Sequence, residues 1–291
     1  MASRLVFLAR FSILGIASFA TLMVVASFLG PLHRSLDTVS IIRPVAGLLC
    51  LIGVVVARNI WFKLYLSSVS LLSFVTVLWF FIPQNHGGDL RIYSKNLWFA
   101  NSQITSVVRD IEASGVDVVM LQEVSTRNMV ILSMLKGDFP YQHLCPFSNW
   151  SGIALASRHP FDGDPICSQW RALAAAPIRL SGERVWIVSM HLAWPWPFAS
   201  GESEVAADTL LSELDGKVVI AGDFNTVPWS ARANRISVAT KTKIAGPARF
   251  TLTYRHVPLP IDFAMSPGGG YLERRDFLGS DHAGIIADLK L

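Results

Sequence analysis

Val218-Val219-Ile220-Ala221-Gly222-Asp223-Phe224-Asn225-Thr226-Val227-Pro228-Trp229 is the stretch on which the reading of this chain turns. Four apolar residues mark a buried strand, Gly222 ends it, and Asp223 and Asn225 follow two apart. Both polar side chains can therefore leave the strand end on the same side. A carboxylate that accepts a proton beside a carboxamide that donates hydrogen bonds suits an anionic substrate attacked by water. Asp and Asn are also ordinary turn formers, so the stretch has to be weighed with the segments around it.

Those segments repeat the arrangement. Leu90–Leu97 reads as a strand ending in Lys95-Asn96, and Ser102–Ser114 as an amphipathic helix with Ile104, Val107, Val108 and Ile111 on one face. Gly115 stops that helix, and Val116–Leu121 is a buried strand that delivers Gln122-Glu123. A helix follows over Thr126–Leu135 and a strand over Gly152–Ser157. Arg184–Met190 is a strand that delivers His191, Glu202–Leu214 a helix, and Ile261–Met265 a short strand holding Asp262. Ser280-Asp281-His282 precedes the last strand, Gly284–Leu289. Acids, amides and histidines thus gather at strand ends, where α/β proteins build their sites. His143, His159 and His256 fall outside this pattern.

The chain has 291 residues, 52% of them apolar. That fraction is high for a soluble protein, and the excess lies in the first third. Leu5–Gly30 is long enough to cross a bilayer, and Val45–Ala57 and Trp61–Pro83 are two further apolar segments. The second can begin near Ile41 if Arg43 snorkels to the interface. The first is too long for the apolar core of a signal peptide, and no small-residue cleavage site follows it. Three transmembrane helices are expected over residues 1–83, with a catalytic domain over 84–291. Arg4, Arg10, Arg58 and Lys63 favour a cytoplasmic N-terminus, although Arg34 and Arg43 in the first loop make the asymmetry modest. Three crossings then put everything after Pro83 outside the cytoplasm, in the periplasm if the source is bacterial.

Gln84–Asp89 is a short polar linker. The overall charge of +4 misleads for the domain that follows, where 19 basic residues face 20 acidic ones, a net of about −1. This domain is no nucleic-acid sponge. Its charge is uneven, since Arg232, Arg235, Lys241, Lys243, Arg249 and Arg255 lie between Asp223 and Asp262 with no acid among them. They form either a phosphate-facing rim or a solvated loop. Cys50 fills a membrane segment, and Cys145 and Cys167 lie where a disulfide is chemically permitted.

Asn96, Leu121-Gln122-Glu123, Ser189-Met190-His191, Gly222-Asp223-Phe224-Asn225, Ile261-Asp262 and Ser280-Asp281-His282, in this order, resemble the endonuclease/exonuclease/phosphatase superfamily, the fold of DNase I. The resemblance covers about residues 88–291 and extends to membrane-anchored bacterial members. It implies a four-layer αββα sandwich, two sheets face to face with helices outside, which periodicity alone does not give. It further implies that Glu123 is the principal ligand of a divalent metal, with Asn96 and Asp281 nearby. The metal is usually Mg2+, with Mn2+ or Ca2+ as alternatives; hard oxygen donors suit such ions.

By the same resemblance, Asp223 positions or deprotonates the attacking water and Asn225 holds a phosphoryl oxygen. Asp262 and His282 form a carboxylate–imidazole pair, and His191 sits near the phosphate or leaving group. The chain departs from the family pattern in Phe263 after Asp262 and in Ala283-Gly284 after His282, neither of which removes a reacting group. It also lacks long substrate-gripping insertions.

The expectation is a membrane-anchored, metal-dependent phosphoesterase using in-line water attack. Its substrate is a nucleic acid, as for an endonuclease, or a phospholipid or lipid-linked phosphate; the bilayer is its other partner, and no protein partner is inferred. A catalytically silent binding module of the same fold is the alternative class, which the complete set of acids and histidines argues against. Leu192-Ala193-Trp194-Pro195-Trp196-Pro197-Phe198 cannot be a central strand, because proline supplies no ladder donor. It is either a lid packed on the domain or a loop facing the bilayer interface.

Overall fold

The computed structural model describes residues 2–84, 86–198 and 201–291; Asn85, within the expected linker, lies outside the described residues. The chain forms two compact units, one of Met1–Phe81 with Trp229–Arg232, the other of Ile82–Pro228 with Ala233–Leu291.

The first unit is built on three helices long and apolar enough to cross a membrane, Arg4–Phe28, Arg34–Val56 and Ile60–Phe81. Small residues let them approach. A Cβ on Gly47 would come 2.4 Å from Ser73 Oγ, and one on Gly53 would come 2.5 Å from Ala17 Cβ. Polar side chains then bond across helices, as Ser70 Oγ donates to Gly47 O (3.0 Å) and Ser73 Oγ to Arg43 O (2.8 Å). Arg43, expected to snorkel to the interface, reaches Ser27 near the C-terminal end of the first helix. It is buried, and its guanidinium donates to Ser27 Oγ (2.8 Å) and Ser27 O (2.9 Å), which gives its charge polar partners inside the bundle.

The second unit holds two six-stranded sheets. In spatial order the first is β13 (Gly270–Arg274), β14 (Ile285–Leu289), β1 (Leu90–Asn96), β2 (Val118–Val124), β4 (Gly152–Ser157) and β3 (Tyr141–Cys145). The second is β5 (Ile166–Cys167), β6 (Leu173–Leu180), β7 (Glu183–His191), β8 (Lys217–Asp223), β12 (Asp262–Ser266) and β9 (Lys243–Ile244). A hairpin of β10 (Leu252–Tyr254) and β11 (Val257–Leu259) stands apart. Each large sheet has one parallel pair, β1 with β2 and β7 with β8, among antiparallel neighbours.

Period-two alternation sorts the layers. In β1 and β2, Ile92, Val118 and Met120 join the core shared with the second sheet, whereas Tyr93, Val119 and Leu121 pack under the helices Ile104–Ala113 and Val130–Leu135. The helix Glu202–Glu213 contributes Ala206, Ala207, Leu210 and Leu211 to the shared core's second-sheet side. This is the DNase I-like α/β sandwich. Cys145 and Cys167 form a disulfide with Cα atoms 5.7 Å apart.

Gly222 does not end its strand. It lies within β8 with φ +153°, where a Cβ would fall 1.9 Å from Met190 O. It is therefore required for the close approach of β7 to β8 rather than for a turn.

Candidate active site

Register does the gathering. In the parallel pair β7–β8, His191 lies opposite Asp223, and in the antiparallel pair β8–β12, Asp223 lies opposite Asp262. Three polar residues therefore form one row across three strands. Phe224 and Phe263 stack beside the row with centroids 3.9 Å apart. In the other sheet the register sets Asn96 beside Gln122. Glu123 follows on a β-bulge between Gln122 and Val124, with φ +53°. The extra residue turns its carboxylate toward Asn96, whose Nδ2 donates to Glu123 Oε1 (3.2 Å) and to Asp223 Oδ2 (3.1 Å). Asn96 thus joins the two sheets at the site.

His282 is brought in by the loop before β14. Its Nδ1 lies 2.8 Å from Asp262 Oδ2 and its Nε2 lies 3.8 Å from Asp223 Oδ2. Burial pulls the imidazole pKa down, but Asp262 and Asp223 outweigh it and raise it to about 10. Burial raises the Asp223 carboxyl to about 7, against the opposing pull of His282. His191 Nε2 lies 3.6 Å from Asp223 Oδ2 and 3.8 Å from Glu123 Oε1. Burial, with the charges of Arg171 and His282, holds its pKa well below the ordinary value, so this ring is neutral. The two histidines thus carry different charges at neutral pH.

Seven of the eight expected residues meet here: Asn96, Glu123, His191, Asp223, Asn225, Asp262 and His282. Asp281, next to His282, is exposed, and its hydroxyl neighbour Ser280 lies 3.5 Å away. Asn225 differs from the expectation that it holds a phosphoryl oxygen. Both its amide hydrogens are engaged, with Leu192 O (2.8 Å) and Asp223 Oδ2 (3.2 Å), and its N–H donates to Asp223 Oδ1 (2.8 Å). It orients Asp223, so the turn reading and the site reading of this pair hold together.

Two residues escaped the sequence reading. Lys95 is buried at 1% exposure, and its ammonium donates to the carbonyls of Phe277 (2.8 Å), His282 (2.9 Å) and Asp276 (3.3 Å). Burial lowers its pKa to about 8. With Ser280 Oγ donating to Asn96 O (2.8 Å), it pins the loop that carries Asp281 and His282 to the end of β1. Arg171 donates to Ser151 Oγ (3.0 Å); burial lowers its pKa, and the charges of Glu123 and Asp223 oppose that shift. Only the position of Lys95 before Asn96 hinted at its role, and nothing local marked Arg171.

The basic run between Asp223 and Asp262 does not act as one rim. Arg235 pairs with Asp208 (3.0 Å) and Glu204 (3.1 Å), and Arg249 donates to Leu272 O (3.0 Å). In the Trp-Pro loop, Trp194 packs 5.6 Å from Tyr254, while Trp196 and Phe198 are 45% and 78% exposed.

The donor set fits a hard divalent ion at Glu123. Its half-buried carboxylate offers two hard oxygens, steadied by Asn96 Nδ2 on Oε1 (3.2 Å) and the Phe99 N–H on Oε2 (3.1 Å); elsewhere in the site Asn225 Oδ1 and Asp262 Oδ1 are buried with no hydrogen-bond partner among the described residues. Asp223, Asp262 and His282 also lie within ligating distance of one another. In this trio Asp262 engages His282 Nδ1 at 2.8 Å, which leaves Nε2 as the ring atom that faces Asp223.

A model of the endonuclease/exonuclease/phosphatase family matches residues 93–282. No curated protein sequence matches. Among solved structures, an endonuclease/exonuclease/phosphatase from Bacteroides vulgatus is similar at TM-score 0.58 and 19% identity, over 69% of this chain and 98% of that one. TDP2 from D. rerio, complexed with a single-strand DNA product, gives 0.56 and 16%, over 68% and 97%. A variant of beta toxin from Staphylococcus aureus with bound magnesium ions gives 0.54 and 16%, over 69% and 100%. At these identities the structures speak for the fold alone. The match of the family model over most of the chain, on a sandwich whose strand ends converge on Glu123, Asp223 and His282, establishes that the protein belongs to the endonuclease/exonuclease/phosphatase family of metal-dependent phosphoesterases.

Proposed function

We propose that this protein is a membrane-anchored phosphoesterase that works with Mg2+ and cleaves its ester by in-line attack of water. The observation that carries the reading is the alignment of Asp262, His282 and Asp223, one imidazole between two buried carboxylates, beside the carboxylate of Glu123. Glu123, with Asn96 and Asp281, would hold the ion, which when bound supplies Lewis-acid charge at a phosphoryl oxygen. Asp223, fixed by Asn96 and Asn225 and with its pKa raised to about 7, orients the water and takes its proton. His282 presents a positive Nε2–H toward the phosphoryl charge, while Asp262 holds its other nitrogen. His191, neutral, is placed to donate from Nε2 without adding charge.

Three apolar helices and the positive residues Arg58 and Lys63 support an anchor with the catalytic domain on the outer face of a plasma membrane. The Cys145–Cys167 disulfide suits that oxidising side. A nucleic-acid ester remains the competing substrate, favoured by the DNA product held by TDP2. The test is the solvent label. Full-length protein in detergent with Mg2+ and 18O-water should place one 18O in the phosphate product of a soluble diester, with EDTA abolishing turnover. Label in the alcohol product instead would exclude attack at phosphorus.

A further inference from the structure

Large aromatic rings left in water are costly, and a group of them beside a site calls for a reason. Trp98, Phe99 and Trp150 are 38%, 45% and 51% exposed. They touch edge to face, Trp98 to Phe99 at 5.9 Å and Phe99 to Trp150 at 6.3 Å, and so form one ledge.

The ledge is built into the catalytic centre. Trp98 N–H donates to Asn96 Oδ1 (2.9 Å) and Phe99 N–H donates to Glu123 Oε2 (3.1 Å). Behind the rings, Ser125 Oγ donates to Phe99 O (2.8 Å), and the buried Asn128 amide donates to Trp98 O (3.3 Å) and Glu123 O (3.1 Å). At the far side the Arg171 guanidinium lies 5.4 Å over the Trp150 ring. An apolar surface and a cation therefore flank the carboxylates where a phosphate would react.

We propose that this ledge binds the apolar chain of an amphiphilic phosphate ester, with the phosphate at the Glu123–Asp223–His282 centre and Arg171 beside it. The proposal rests on the phosphoesterase reading and names its substrate class. Charge argues for a lipid rather than a nucleic-acid strand. A polynucleotide groove needs a row of cations along the backbone, whereas Arg235 is committed to Glu204 and Asp208 and the domain is near neutral. The rings meet at 60° and 73°, so they do not form the parallel faces on which successive bases stack. The chain also carries three apolar spans, and eight residues separate Phe81 from Leu90, roughly 30 Å even when extended.

The test compares two soluble chromogenic diesters, methyl and dodecyl p-nitrophenyl phosphate, hydrolysed by full-length protein in nanodiscs with Mg2+. The readout is the ratio of kcat/KM, dodecyl over methyl, in wild type and in Trp150→Ser and Phe99→Ser. Because it is a ratio, the fraction of folded protein and any general loss of turnover cancel. The ratio should fall about tenfold in each variant, the scale for removing one ring from an apolar contact, and Trp150→Phe should recover most of it. Equal ratios in wild type and variants would overturn the ledge while leaving the phosphoesterase reading intact. Stronger competition by a single-stranded oligonucleotide than by the dodecyl ester, lost in Trp150→Ser, would also overturn it in favour of a nucleic acid. Failure of the wild type to cleave either ester would contradict both.

Discussion

Asp262 Oδ2 lies 2.8 Å from His282 Nδ1, and this contact sets the charge of the site. Burial alone would neutralise the ring, yet the pair, with Asp223 on the other nitrogen, lifts its pKa to about 10. The protonated form is then present at neutral pH and lost only as pH rises through that value. Asp262→Asn removes the nearer carboxylate, so the alkaline limb of the kcat/KM profile should move to lower pH. A profile taken between about pH 6 and 11 checks this; a limb that stays in place would remove His282 from the rate-determining chemistry.

Glu123→Gln replaces a charged oxygen with a neutral one at the proposed ion site. Half-maximal activation should need at least about tenfold more Mg2+, the scale of losing an ion's charged ligand or its support. The measurement is an activation curve at fixed substrate, and superimposable curves would place the ion elsewhere.

Lys95→Met deprives the carbonyls of Asp276, Phe277 and His282 of a charged donor. Hydrogen bonds to charged groups contribute about 1.5–3 kcal/mol each, so a melting temperature lower by several degrees is expected. Lys95 reaches no reacting atom, so the loss in activity should appear in kcat, through a displaced His282, with KM little changed. A variant with lowered stability and wild-type kcat would make Lys95 a structural residue only.

The proposed orientation, with Arg58 and Lys63 inside and the domain outside, is one that fusions can read. A C-terminal alkaline phosphatase should be active and a C-terminal green fluorescent protein dark. Thiol labelling without reductant should modify Cys50 after denaturation and leave Cys145 and Cys167 protected. The reverse fusion pattern would place the site in the cytoplasm.

Much of the site was legible because strand-end polar residues are a local pattern. Asp223, His191 and Asp262 each stand beside an apolar run, and register then fixes their neighbours. Glu123 was legible as a residue but not as a bulge, since the extra residue in β2 depends on pairing with β4. Strands β3, β6 and β13 went unread: Tyr141–Cys145 is partly exposed, Leu173–Leu180 is rich in alanine and contains Pro177, and Gly270–Arg274 opens on glycine. Arg171 acts across tertiary distance on Glu123 and Asp223, which no spacing announces. The layering of two sheets came from the family resemblance, because a continuous apolar run says that both faces of a strand are covered and not by what.

The central claim is that Asp223 and His282 carry phosphoester hydrolysis at one site. Its most direct test is the steady-state rate of full-length protein in detergent on bis-p-nitrophenyl phosphate with Mg2+, for wild type, Asp223→Asn and His282→Ala. The account expects EDTA-sensitive turnover by the wild type and a fall of about a hundredfold or more in each variant, the scale for losing an acid–base group. Wild-type rates in both variants would contradict it.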